Sequence, residues 1–189
     1  MSAEEKIDIE IFKVVNRAIA HSDSLDVMTT HLSQLLVGAL EIKGCTIFAL
    51  NRETDELETL ASFGLSFNYL NKGPLLSAKS IRDTIQGKPI VINDISNTNL
   101  LQYPDNAKKE GIRAIVSVPI EFYGKVIGEV RLYHHEVWKI SERDLDSLLV
   151  LAENIGLAMT YTRLLNALQT VKDTVNEIHG VWLAPGRTC

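Results

Sequence analysis

Apolar residues recur at helical spacing from the start of the chain. Over residues 3–21, Ile7, Ile11, Phe12, Val15, Ala18 and Ile19 share one side, which predicts an amphipathic helix. Ser22, Asp23 and Ser24 break it and offer an N-cap. A second helix follows, with Leu25, Met28, Leu32, Leu35, Leu36 and Ala39 on its apolar side. The hydrophobic period then falls to two. "CTIFALN" (45–51) and "LETLASFG" (57–64), joined by the polar "RETDE", predict a β-hairpin. "SFNYLNKGPL" (66–75) has no period and reads as loop. "SAKSIRDTIQGKP" (77–89) predicts a short helix capped by Ser77 and ended at Gly87. "PIVIND" (89–94) predicts a brief buried strand, followed by a polar loop to Tyr103 and a short charged helix, "PDNAKKE".

Two β-rich runs then meet in "GIRAIVSVPIEFYGKVIGEVRLYHH" (111–135), with Tyr123-Gly124-Lys125 as a tight turn. One face of the second run carries Val126, Gly128, Val130, Leu132 and His134. The other carries Ile127, Glu129, Arg131, Tyr133 and His135. An acid, an arginine and a tyrosine on one side of a central hairpin call for an explanation. The last helix is predicted over residues 141–180, with Ser141 as N-cap and Asp144 in the capping-box position. At 1.5 Å per residue it would run roughly 58 Å, longer than the about 35–40 Å breadth of one domain of this size. Its apolar stripe is broad up to Met159. Beyond, Tyr161, Leu164, Leu168, Val171, Val175 and Ile178 step by alternating threes and fours, the seam of a coiled coil. A seam needs a partner, so Leu164, Leu168, Val171 and Val175 are predicted to line a homodimer interface. Consecutive hairpins with helices on both faces make the fold class α+β: a three-layer α/β/α domain with a central antiparallel sheet and a long C-terminal helix. Three segments follow: residues 1–22 as an N-terminal packing and dimerisation helix, 23–160 as the domain, and 161–189 as a helical extension and tail.

Composition narrows the function classes. The chain has 189 residues, 46% hydrophobic and 23% charged, with a net charge of −5. That balance provides no general basic surface for nucleic acid. Two cysteines, Cys45 and Cys189, form neither a disulfide framework nor a zinc motif and fit a reducing compartment. The charged opening "MSAEEKIDIE" is no secretory signal, and no apolar run approaches the ~18 residues of a membrane span. A cytoplasmic location without membrane partners is expected. No Ser/His/Asp, paired-carboxylate or glycine-rich phosphate-loop arrangement marks an enzyme.

The stretch "KPIVINDIS…EGIRAIVSVPIEFYGKVIGEVRLY…WKISERDLDSLLVLAENIGLAM", with "LLVGALEIKGCTIFALNRETDELETLASFG" upstream, resembles a GAF domain, the small-molecule sensory module of signalling proteins. The likeness spans roughly residues 25–159 with the element order intact. It implies a ligand pocket on the sheet face away from the terminal helices, roofed by the segment between the second and fourth strands. It also implies a non-enzymatic sensor that binds a small molecule and signals through dimerised helices to a separate output protein. Two other readings stand beside it: a structural dimerisation module without ligand, and a small redox enzyme of the same fold. Bilin-binding relatives attach pigment to a lid cysteine, and residues 65–110 contain none. The free methionine sulfoxide reductases of this fold need lid cysteines that Cys45 and Cys189 do not supply. The cyclic-nucleotide signature is matched only by "NK" at Asn71 and Lys72. The cofactor stays unknown.

On this implied pocket face, Glu129, Arg131 and Tyr133 would meet ligand, or would simply pair with one another on a solvated sheet surface. Asp94 would receive a ligand N–H, or cap the turn that follows it. Arg113 would grip a carboxylate, or lie on the surface. Phe48, Phe63, Tyr69 and Tyr103 are pocket walls or ordinary packing. Ser117 lines the pocket or bonds backbone. His134 and His135 are adjacent in a strand and point to opposite faces, which speaks against a shared metal or haem.

Overall fold

The structure, a computed structural model, describes residues 7, 9–22, 24–76, 84 and 86–183, with side chains as far as residue 177. One six-stranded sheet runs in the order β3-β2-β1-β6-β5-β4. Its strands are β1 (Gly44–Asn51), β2 (Glu56–Phe63), β3 (Leu75–Leu76), β4 (Ile90–Ile92), β5 (Ala114–Phe122) and β6 (Lys125–His134). Every pairing is antiparallel, as the succession of hairpins requires. Helices α1 (Ile9–Ala20), α2 (Leu25–Leu40) and α5 (Glu142–Leu183) cover one face. The other face carries α3 (Phe67–Leu70), a 3-10 turn (Ile95–Asn97) and α4 (Pro104–Lys109). The fold is therefore the expected α+β arrangement. Residues 66–75 are not a plain loop, because they hold α3 and the edge strand β3. Ser66 caps α3 by accepting from Tyr69 N at 3.2 Å. Most of the helix expected over residues 77–86 lies outside the described residues.

Alternation along the strands splits the core in two. Ile47, Val116, Val118, Val130 and Leu132 point to the helical layer, where they meet Leu32, Leu36, Leu151 and Ile155, all essentially inaccessible. Each such side chain contributes about 1.5–3 kcal/mol by leaving water. Tyr69, Ile95, Ala107, Ile115 and Tyr133 form a smaller core on the opposite face. The β5–β6 turn has two residues, Tyr123 (φ 50°) and Gly124 (φ 66°), so it is a type I′ hairpin and Lys125 already belongs to β6. A bulge between Ile120 and Glu121 then sets the register. It places Ser117 opposite Arg131 and Ile115 opposite Tyr133.

Helix α5 is unbroken for 42 residues, about 63 Å at 1.5 Å per residue. Ser141 Oγ accepts from Asp144 N at 3.0 Å, the N-cap bond the sequence predicts. Asp144 also accepts from the buried Ile7 N–H at 2.8 Å, which ties the chain's beginning to the start of α5. Gly156 lets the helix lie directly on β5, since a Cβ there would overlap the Glu121 carbonyl oxygen. Leu148, Leu151, Ala152, Ile155 and Met159 are buried. Beyond Met159 the helix leaves the domain, and Leu164, Leu168, Val171 and Val175 are 48–61% exposed. One 18-residue window of α5 reaches a mean hydropathy of 1.2, so by length and composition the helix could cross a membrane. This differs from the sequence expectation of no apolar run near that length, because a few charged residues interrupt the stretch. A third of that window is buried within the domain, as in any helix that backs a sheet.

Candidate functional site

The sheet face away from the long helix carries three cross-strand rows. Phe48, Glu129 and Pro119 form the first, Thr46, Arg131 and Ser117 the second, and Gly44, Tyr133 and Ile115 the third. At the centre, Arg131 Nε donates to Glu129 Oε1 at 2.7 Å and to Ser117 Oγ at 3.0 Å. The guanidinium carbon lies 5.5 Å from the centre of the Phe48 ring. Glu129 is fully buried and Arg131 is 4% exposed. Burial works against the Arg131 charge, but the Glu129 carboxylate beside it prevails and holds the guanidinium firmly protonated. Among the described residues, Glu129 Oε2 is buried without a hydrogen-bond partner, as is Thr84 Oγ1. An unpaired buried acceptor costs about 1–3 kcal/mol, and more when charged. The fold thus keeps a polar cluster in the sheet, with one carboxylate oxygen unpaired among the described residues.

Around this cluster stand aromatic and cationic groups. Tyr69 from α3 meets Tyr133 edge to face, with centroids 5.8 Å apart. Burial pushes both phenols well above their ordinary range. Lys72 Nζ lies 3.8 Å from the centre of the Tyr69 ring and donates to Tyr69 O at 3.0 Å. Burial first, and the Arg131 charge second, lower the Lys72 ammonium to about 8. A cavity of about 60 Å³ lies between the sheet and the loop that carries Lys72, bounded also by Thr46, Phe48, Thr59, Leu75 and Tyr133. The roof is latched at two points. Tyr103 Oη donates to Pro74 O at 2.9 Å, and Gln102 Oε1 accepts from Leu76 N at 3.1 Å. Glu110 accepts from both the N–H and the hydroxyl of Ser66, and Lys43 lies 3.6 Å away. Burial alone would raise the Glu110 carboxyl, but the Ser66 bonds and Lys43 together bring it below its usual value.

Sequence comparison agrees with this architecture: the chain matches the GAF domain family over residues 22–160. It belongs to the GAF domain family. GAF domains are generally sensory, ligand-binding modules of signalling proteins. The solved GAF domain of a phosphoenolpyruvate-protein phosphotransferase from Coxiella burnetii superposes with a TM-score of 0.74 at 17% identity, covering 84% of this chain and 96% of that one. A free methionine-R-sulfoxide reductase from Neisseria meningitidis, in complex with its substrate, gives a TM-score of 0.69 at 13% identity, covering 86% and 97%. The phycocyanobilin-bound GAF domain of a cyanobacterial phytochrome gives 0.67 at 14%, covering 84% and 98%. At these identities the likeness is one of fold. No curated protein sequence matches the chain.

Within this GAF domain the predicted residues fall into separate groups. Phe48, Tyr69, Ser117, Glu129, Arg131 and Tyr133 come together on the face opposite the terminal helices. Tyr103 packs partly against the Phe48 cluster, with its hydroxyl spent on the roof latch. Asp94 and Arg113 lie elsewhere, on the surface, and face each other at 3.6 Å. Asp94 accepts from Ser96 N at 3.0 Å as cap of the 3-10 turn, and this bond holds its carboxyl below the usual range. Phe63 is not part of the cluster. It pairs with Cys45, whose side chain sits in the helix-side core, and it is 42% exposed; alternation assigns Ser62, bonded to Thr46, to the site face instead. Cys45 is buried, and burial pushes its thiol up. Among the described residues no group of three or more His, Cys, Asp or Glu is placed to hold a metal. Sequence reasoning missed Lys72, Thr46, Thr59 and Glu110. Thr46 was recoverable, because it alternates with Phe48 on β1; Lys72 lies in a segment without period.

Proposed function

We propose that this chain is a non-enzymatic GAF sensor that binds a small molecule on the Glu129–Arg131 face and signals through paired terminal helices to a separate protein. The observation that carries the ligand reading is the vacant Glu129 Oε2, a fully buried acceptor in a fixed ion pair. Such a group gains a partner when a ligand or water donates to it. The bare stripe from Leu164 to Val175 supports pairing of the helices, because an apolar row of this length is an association surface. It continues into an apolar groove of about 460 Å³ between α1 and α5, lined by Ile19, Met28, Leu157, Tyr161 and Leu165. A second copy of the chain, with the same stripe, is the occupant that satisfies both surfaces by symmetry. The two cysteines remain compatible with a reducing cytoplasm.

A second reading, a dimerisation module that takes no ligand, is favoured by the small volume of the cavity next to the cluster, about 60 Å³. The relatives include a reductase, so the fold also admits chemistry. Native mass spectrometry of the protein purified from its own host separates these readings. A retained small molecule, lost in Glu129→Gln, is the expected result. An empty protein whose stability no metabolite changes would leave only the dimerisation module.

A further inference from the structure

We propose that the cavity beside Lys72 is the seat of a small oxyanion or carboxylate group, either a free ion or the anionic end of a larger ligand. This deepens the sensory reading above and rests on it. The walls of the cavity combine apolar side chains, Phe48, Leu57 and Leu75 among them, with four groups that carry a donor. Thr46 and Thr59 come from adjacent strands, Tyr133 from β6, and Lys72 from the loop between α3 and β3. An ammonium has three N–H donors. Lys72 uses one on Tyr69 O and sets another side against the Tyr69 ring. The remaining donor capacity has no protein acceptor among the described residues.

Charge leads to the same class of occupant. Arg131 is bonded to Glu129 Oε1 at 2.7 Å, so that oxygen is not open to Lys72. Lys72 feels burial and the Arg131 charge together, against only a partial return from Glu110, and its ammonium sits near 8. A cation entering the cavity would meet Lys72, the charged group of its lining, with the wrong sign. An anion would take up the open Lys72 donor and accept a hydrogen bond from Thr59. Size limits it further: about 60 Å³ equals roughly two water volumes of ~30 Å³ each. A planar ion such as formate or nitrate fits, as does the carboxylate terminus of a longer molecule that lifts the roof.

The test uses the full chain and three probes, formate, acetate and nitrate, against chloride at equal ionic strength. Lysine side-chain NMR follows the Lys72 titration directly. A bound anion stabilises the ammonium, so the expected result is an upward move of the Lys72 midpoint by about one unit, a tenfold effect. Lys72→Met should weaken the probe at least about tenfold with the near-ultraviolet circular dichroism unchanged, and Lys72→Arg should restore it. No movement of Lys72 with any probe up to about 50 mM, a weaker affinity than ~2 kcal/mol, overturns the proposal. If the variant does not fold, the wild-type titration alone decides. A host-purified ligand that is neutral or cationic and indifferent to Lys72→Met overturns this inference while the sensory reading stands. A larger retained molecule ending in a carboxylate, displaced by formate, identifies the anionic end of a ligand. Saturation by a free ion with nothing else retained identifies the ion itself.

Discussion

Replacing Arg131 by methionine isolates what the central ion pair does for the fold. Arg131 and Glu129 are 5% and 0% accessible through their side chains, with Nε and Oε1 2.7 Å apart. Removing the guanidinium leaves a carboxylate in the sheet with neither of its oxygens paired. Breaking a buried pair in this way costs about 3–5 kcal/mol. For a domain of this size each kcal/mol lowers the melting midpoint by about 2–4 °C, so a fall of roughly 6–20 °C is expected. The ion pair itself is no net source of stability, because taking both charges out of water offsets their attraction. Removing both partners should therefore recover most of the loss. The double variant Glu129→Met with Arg131→Met should lie within about 1 kcal/mol of the wild type or above it. Urea unfolding of the four proteins closes a double-mutant cycle, and the coupling, the two single losses less that of the double variant, should be about 5–10 kcal/mol. The reasoning is wrong if Arg131→Met costs under about 1 kcal/mol, or if the double variant loses the sum of the singles. Either result would mean that water already reaches the pair.

Three further outcomes are expected. Leu164→Glu with Leu168→Glu places like charges across a symmetric seam, so sedimentation should shift from dimer to monomer with helicity retained; a wild type that is monomeric at micromolar concentration would remove the helical-output idea. Gly156→Val drives carbon into the Glu121 carbonyl and should cost about 1–3 kcal/mol in chemical denaturation, whereas a neutral result would mean α5 can lift off β5. Glu110 is depressed in the folded state, so its contribution is present above its unfolded value of about 4.3 and is lost as pH falls through the lower folded value. Glu110→Gln should therefore flatten the acid limb of the stability curve below about pH 5, and an unchanged limb would discount the Ser66 latch.

Period-two alternation was enough to separate Glu129, Arg131 and Tyr133 from Val130 and Leu132, but Ile127, read onto the face of Glu129, packs with the helix-side core because the pairing skips it. Which residues of β5 join them was not legible. That depends on the bulge at Ile120 and Glu121, a single extra residue with no signature in composition. Phe63 fails for the same reason: a shift between Ile47 and Phe48 realigns β2, so an aromatic in a strand looked like a wall and is not one. Helix α3 and strand β3 have four and two residues, too short for any period to show. Asp94 and Arg113 looked like separate ligand-binding charges; only the fold reveals that they face each other at 3.6 Å. The uncovered end of α5 was legible from length alone, since a rod longer than its domain must project.

That projection has a mechanical consequence. Helix α5 is clamped where Gly156 meets the Glu121 carbonyl, and from that contact about 27 residues run on to Leu183, a rod of ~40 Å. Glu121 faces the bulge in β6 and belongs to the strand that also carries Ser117, the hydroxyl bonded to Arg131. A rotation of about 3° at the clamp would displace the far tip by roughly 2 Å over that length. The same rotation moves atoms beside the clamp by only a few tenths of an ångström. Crosslinks or spin labels near Val175 would register such a movement, while a probe within the domain would see almost nothing.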